Sequence, residues 1–276
     1  MIEIGKYNKL KAVKTSADGV YLDAGNYGEL LLPTAEVPDN YNAGDSLKVF
    51  LYRESETQII PTTKKPHAIL GEFACLKVLD VLPIGSFLDW GLPKDLFVPL
   101  SEQQEAMKEG VSYVVYIYKD DRHDRLAASS KLNAFLDQKP VAFKENEKVD
   151  LVICNQTELG YNAIVNHSHW GLLYKNEAFQ TLEYGQKVQG FIKKIRADKR
   201  IDLSLHIQGY QKMDDLEEKI IAEINRVGGI FTVTDKSSPE IIYELFGVSK
   251  KKYKMALGSL YKLKRIIIED DIIKIQ

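Results

Sequence analysis

The chain has 276 residues, 37 basic against 39 acidic, for a formal net charge of −2. This balance excludes a global basic field, so any nucleic-acid partner must be held by local cation clusters. A 45% hydrophobic and 28% charged composition excludes broad disorder.

The first 63 residues read as five short strands. Residues 9–22 alternate loosely and lead into Gly19, Tyr21 and Leu22. A turn at 24–28 precedes Leu30–Leu32, and a polar connection at 38–44 precedes a strand over 46–52. There Leu47, Val49 and Leu51 alternate with Lys48, Phe50 and Tyr52. Residues 59–62 close the unit. The same plan then recurs. Gly44, Gly110 and Gly185 each lie 25 residues after Gly19, Gly85 and Gly160. Each precedes an apolar strand, at 46–52, 112–118 and 187–192. Each unit closes on a hydroxyl residue, Thr62, Ser129 or Ser204, at offsets of 43, 44 and 44. Shared offsets at three landmarks indicate one supersecondary unit used three times. Pro66 and Pro140, which cannot donate to a ladder, suit the boundaries, and 132–136 has room for a helical turn.

These residues resemble the S1 RNA-binding domain. Gly85-Ser86-Phe87-Leu88, Gly171-Leu172-Leu173-Tyr174 and Lys199-Arg200-Ile201-Asp202-Leu203-Ser204-Leu205 carry the resemblance. It implies five-stranded OB-type β-barrels. The first two units have Pro33 and Pro99 where the family often has histidine, and Tyr174 stands there in the third. The third unit has Asn162 where the strand-2 aromatic is expected, with Tyr161 one place early.

Beyond Gly209 the apolar period becomes helical. Leu216, Ile220, Ile224 and Val227 form one stripe, with Asp214 and Glu217 as a capping pair and Gly228-Gly229 as the stop. A strand is expected over 230–233. Ser238 caps a second helix with Pro239 in its first turn, and Gly247 ends it. Ser249 caps a third helix running to about Arg265, followed by strands 266–268 and 272–275. This order is that of a winged helix-turn-helix. The fold class expected is mainly β with a C-terminal α+β domain: S1-like barrels at 1–63, 66–131 and 142–207, then a winged helix at 210–276.

Residues 249–265 carry seven basic residues and no acidic one. At 100° per residue, Tyr253, Ala256, Leu257, Leu260 and Leu263 form an apolar face. Lys251, Lys254, Lys262 and Arg265 gather opposite, around Gly258. A second cluster comprises Lys187, Lys193, Lys194, Arg196, Lys199 and Arg200, against one acid, Asp198. Residues 19–47 contain no Lys or Arg. The bland reading of each cluster is a solvated face; the functional reading is phosphate contact. Tyr21, Phe87 and Tyr174 are candidate base-stacking residues, with barrel packing as the alternative.

No catalytic residue, metal site or cofactor is expected. His167-Ser168-His169 lacks further ligands at usual spacing, residues 120–124 read as a polar hairpin tip, and no nucleophile elbow or phosphate loop stands out. Cys75 and Cys154, far apart in sequence, form neither a disulfide framework nor a CxxC pair, which fits a reducing compartment. No signal pattern or 18-residue apolar run is present, so the cytoplasm is expected and no membrane contact. No dimerisation helix is visible, so a monomer is expected.

Three S1-like repeats followed by a winged helix resemble the bacterial conserved virulence factor B (CvfB, YitL-like) family over nearly the whole chain. The resemblance implies a cytoplasmic RNA-binding regulator acting on gene expression after transcription; the basic clusters and barrel aromatics point to single-stranded RNA as its partner. Duplex-DNA binding through the third helix, and an adaptor role that touches no nucleic acid, remain open on the residues alone.

Overall fold

The computed structural model describes residues 2–39, 41–42, 44–55, 57–120, 125–178, 181–205, 211–269 and 271–276. The expected hairpin tip at 120–124 and the boundary between the third barrel and the winged helix fall largely outside them. The chain divides into two units, Met1–Leu203 and Ser204–Gln276.

The first unit holds three barrels. Barrel 1 is β1 (Tyr7–Thr15), β2 (Gly19–Asp23), β3 (Glu29–Pro33), β4 (Ser46–Arg53) and β5 (Ile59–Thr62). Barrel 2 is β6 (Phe73–Leu82), β7 (Gly85–Leu88), β8 (Leu96–Pro99), β9 (Ser112–Asp120) and β10 (Arg125–Ser129). Barrel 3 is β11 (Lys148–Gln156), β12 (Gly160–Val165), β13 (His169–Tyr174), a helical turn α1 (Lys175–Ala178), β14 (Lys187–Ile195) and β15 (Ile201–Ser204). The hydrogen-bonded order is β3-β2-β1-β4-β5 in barrel 1, repeated in barrel 2. Barrel 3 closes fully, with β13 parallel to β15.

The recurring glycines have a packing cause. A Cβ on Gly19 would lie 2.0 Å from the Leu32 carbonyl oxygen; on Gly85, 2.3 Å from that of Val98; on Gly160, 2.1 Å from that of Leu173. Only a residue without a side chain allows strand 3 so close. Strand 1 bulges at the same place in each barrel, between Ala12 and Lys14, Val78 and Asp80, and Ile153 and Asn155. A bulge re-aims the residues beyond it. The closing hydroxyls are buried and wired alike in barrels 1 and 2. Thr62 donates to the Glu36 carboxylate and accepts from the Lys64 amide; Ser129 donates to the Glu102 carbonyl and accepts from the Lys131 amide.

The barrels pack in sequence order. The expected alternation in β4 breaks down, because Phe50 and Tyr52 are buried as deeply as Leu51. Their faces meet Trp90 of barrel 2 edge-on, at 5.6 and 6.5 Å between centroids. Trp90 also donates through Nε1 to the Ala68 carbonyl at 2.7 Å. Between barrels 2 and 3, Phe73, Val114, Leu136, Val152, Cys154 and Ile164 form a shared apolar cluster. Polar contacts also cross the seam: the Phe73 amide donates to His167 Nδ1 at 2.9 Å, and the Val114 amide to the Tyr184 hydroxyl at 2.8 Å.

The second unit contains α2 (Gln211–Arg226), β16 (Ile230–Phe231), α3 (Pro239–Phe246), α4 (Lys250–Lys262), β17 (Ile266–Ile268) and β18 (Ile273–Ile275). The sheet order is β16-β18-β17. Ser238 and Ser249 cap α3 and α4 by accepting from Ile241 and Lys252 amides, and Gly247 takes the left-handed cap. Leu216, Ile220, Ile224, Phe246, Leu257 and Leu260 belong to its core. Tyr253 lies fully buried there, with its hydroxyl donating to the Val233 carbonyl at 2.7 Å.

Several expectations are corrected. Helix α2 begins at Gln211, so Asp214 sits inside it rather than at its cap. Val227 lies beyond its end and is exposed. The strand expected over 230–233 spans two residues. Helix α4 stops at Lys262, because Lys264 adopts a left-handed backbone. Arg265 therefore lies off the helix, and Leu263 is 61% exposed instead of joining the apolar face.

Candidate nucleic-acid interface

The register that sets the barrels also sets which strand-2 side chain points outward. In each barrel the third residue from the opening glycine is half-exposed between buried neighbours. These residues are Tyr21, Phe87 and Asn162. Tyr161 instead turns inward and is 6% exposed. On strand 3 the residues directly opposite are Leu31, Phe97 and Leu172.

Barrel 1 offers one aromatic. The Lys14 ammonium stands 5.4 Å from the Tyr21 ring centroid. The strand-2 and strand-3 ends beside it, Asp23 and Glu29, are exposed acids.

Barrel 2 offers two. Phe87 and Phe97 face each other across the β7–β8 ladder with centroids 5.1 Å apart and planes tilted 41°. The Arg125 guanidinium carbon lies 5.0 Å from the Phe97 centroid, with Nε 3.7 Å from Asp120. Neither Phe97 nor Arg125 is apparent from a search for glycine–aromatic motifs. Both were available by counting register. Phe97 opposes Phe87, and Arg125 precedes Ser129 by four residues, as Arg200 precedes Ser204.

Barrel 3 carries most of the expected cations but commits several of them. Arg196 lies 5.9 Å from the Tyr174 ring centroid and donates to its hydroxyl. Its Nε also lies 2.9 Å from Asp202 Oδ1. That hydrogen bond and charge raise the arginine pKa above its ordinary value. Arg200 pairs with Asp198 at 3.5 Å. Lys187 donates to the His67 carbonyl at 3.3 Å, at the edge of barrel 2. Lys194 and Lys199 are exposed, and Lys193 is half-exposed. The lower half of the β12–β13 face is occupied: Ile164 is buried, and Trp170 donates through Nε1 to Asn133 at 2.9 Å. The outward face that remains is Asn162, Leu172 and Tyr174.

In the second unit, Lys251, Lys254 and Lys262 lie on the exposed side of α4, flanked by the exposed side chains of Met255 and Tyr261. Lys254 pairs with Asp235 at 3.1 Å. A Cβ on Gly258 would meet nothing within 4 Å, so open space lies over this face. The turn between β17 and β18 is acidic: Glu269 is held by Lys274 at 2.8 Å, and Asp271 is exposed.

His167 and His169 do not form a ligand pair. His169 is buried against Ser168 and the Lys139 carbonyl, and His167 is spent on the barrel 2–barrel 3 seam. Burial raises the Cys154 thiol to about 12. No helix among the described residues is long and apolar enough to cross a membrane.

The CvfB-like winged helix domain model matches residues 218–275, and the S1 domain model matches residues 4–64 and 70–131. Conserved virulence factor B of Staphylococcus epidermidis is 23% identical over 275 residues, covering 96% of this chain and 92% of that one. Protein YitL of Bacillus subtilis is 24% identical over 248 residues, covering 87% and 83%. A solved multidomain protein with nucleic acid binding domains from Streptococcus pneumoniae is 21% identical, covers 99% and 98% of the two chains, and superposes with a TM-score of 0.41.

Proposed function

This chain belongs to the conserved virulence factor B family, and from that premise we propose that it binds single-stranded RNA and modulates gene expression after transcription. Its S1 and winged-helix domains are of nucleic-acid-binding type. One observation carries the choice of single strands. Each barrel sets a cation against an outward aromatic on strand 2 or 3: Lys14 on Tyr21, Arg125 on Phe97, Arg196 on Tyr174. Such pairs occur roughly once per 70–80 residues by ordinary packing, so their number means little. Their shared placement is the argument. An exposed ring gives an unstacked base a platform, and the cation beside it meets the backbone.

Lys193, Lys194 and Lys199 of barrel 3 and the exposed side of α4 add phosphate contacts. Tandem linkage raises effective concentration, so weak modules bind jointly. The cationic α4 face would also suit a duplex groove. The acidic turn at Glu269 and Asp271 opposes that reading, because the wing would face phosphates. The test is binding of labelled single-stranded RNA and duplex DNA to the full chain, wild type and with Lys193, Lys194, Lys251 and Lys254 reversed to glutamate. Preference for the single strand, lost in the variant with folding intact, is the expected result. Unchanged binding by the variant overturns the proposed surface.

A further inference from the structure

The aromatic pair of barrel 2 does not stand on an open sheet. It lines a cleft of about 110 Å³ whose other wall is Tyr52 and Arg53, from β4 of barrel 1. Pockets for whole small-molecule ligands run to roughly 300–1,000 Å³, so this one suits a single planar ring. The wall from barrel 1 is fixed, because Tyr52 packs edge-on against Trp90. Lys94 ties the same wall down, donating from Nζ to the carbonyls of Arg53 at 2.9 Å and Glu54 at 2.5 Å.

We propose that this seam is a nucleobase subsite built jointly by barrels 1 and 2, and that it prefers a base bearing an exocyclic amine. The inference rests on the single-stranded RNA reading above and names one of its contacts. Phe87 and Phe97 supply the stacking surface, and Arg125 and Arg53 in the same lining offer positive charge to the backbone of a bound nucleotide. Asp95 is the discriminating group in the lining. An ionised carboxylate only accepts hydrogen bonds, and aspartate accepts from the cytosine amine. Uracil presents carbonyl oxygens on both sides of its single N–H and would meet that carboxylate with repulsion. Burial, with the charges of Asp89 and Asp80, raises the Asp95 pKa. A hydrogen-bond donor from a base therefore relieves an existing strain on its charged form. Barrel 1, whose own face is acidic, gains a role as a wall of its neighbour's site.

The experiment measures affinity of the full chain for short labelled oligocytidylate and oligouridylate. Wild type is expected to favour oligocytidylate. Asp95→Asn, nearly isosteric, should erase the preference, weakening oligocytidylate binding and raising oligouridylate affinity as the repulsion is removed. Phe97→Ala should weaken oligocytidylate binding roughly tenfold, and Arg53→Ser, on barrel 1, should weaken it too. A wild type that binds both oligomers equally overturns the inference. So does a set of folded variants that keeps wild-type affinity while reversal of the lysines at 193, 194, 251 and 254 still weakens binding; in that case the RNA reading stands and this subsite falls. Failure of wild type to bind either oligomer sinks the RNA reading and the subsite together.

Discussion

Barrels 2 and 3 are built alike and differ in how they spend their charge. Both open on a glycine pressed against strand 3, bulge at the same place in strand 1, and close on a buried hydroxyl. By charge count, barrel 3 is the stronger nucleic-acid candidate. Yet its arginine beside the aromatic is locked to Asp202 at 2.9 Å, whereas Arg125 of barrel 2 keeps Asp120 at 3.7 Å. The aromatic pair is complete in barrel 2 and replaced by Asn162 and Leu172 in barrel 3. The contrast teaches that a cation cluster in sequence measures supply and not availability. Partners as near in sequence as Asp198 to Arg200 and as far as His67 to Lys187 decide what is left for a ligand.

The largest expected effect breaks the shared scaffold. Gly160→Ala places a Cβ 2.1 Å from the Leu173 carbonyl oxygen, an overpacking worth about 3 kcal/mol. The two tryptophans, Trp90 in barrel 2 and Trp170 in barrel 3, report the result separately. Urea unfolding followed through each, with the other replaced by phenylalanine, should show barrel 3 shifted far more than barrel 2. Equal shifts would mean that the barrels unfold as one.

The next prediction makes barrel 3 resemble barrel 2. Asp202→Asn removes the charge that holds Arg196. Single-stranded RNA affinity should rise several-fold, and the salt slope should steepen by about 0.7 for one added phosphate contact. Weaker binding would show that Asp202 positions Arg196 for RNA rather than withholding it.

A smaller change tests α4. Gly258→Ala should stabilise the second unit by about 1 kcal/mol through helix propensity, since nothing lies within 4 Å of the new Cβ. Thermal unfolding measures that gain. If backbone or phosphate approaches there, RNA affinity falls as stability rises.

The smallest effect lies at the seam between the barrels. Burial lowers the His167 pKa, with Lys187 in the same sense and Glu72 and Asp150 opposing. Its Nδ1 must stay unprotonated to accept from the Phe73 amide. The unfolded chain takes up a proton near the ordinary value of 6.5, the folded chain only at lower pH. Stability is therefore unaffected above about pH 6.5 and declines as pH falls below it. Thermal midpoints between neutral and mildly acidic pH should show this decline, reduced in His167→Gln.

Much of the architecture was legible in sequence, because sterics repeat where backbones touch. The glycine offsets mark close approaches, and Ser238, Pro239, Gly247 and Ser249 mark helix ends by local hydrogen bonding. The misreadings have longer-range causes. Phe50 and Tyr52 share the strand face that alternation assigns to water, but a neighbouring barrel covers them. Arg265 fits the helical wheel only if the helix continues past the left-handed Lys264. At the candidate site, Tyr21, Phe87 and Tyr174 were visible from motif spacing. The cleft was not, because Tyr52 and Arg53 come from another repeat and Phe97 carries no motif of its own.

The decisive measurement for single-strand recognition is the salt dependence of RNA binding, taken beside duplex DNA as competitor. Affinity should fall by about 0.7 log unit per log unit of salt for each phosphate contact, with duplex DNA a poor competitor. Affinity that ignores salt, or duplex that displaces the single strand at equal concentration, would contradict that recognition.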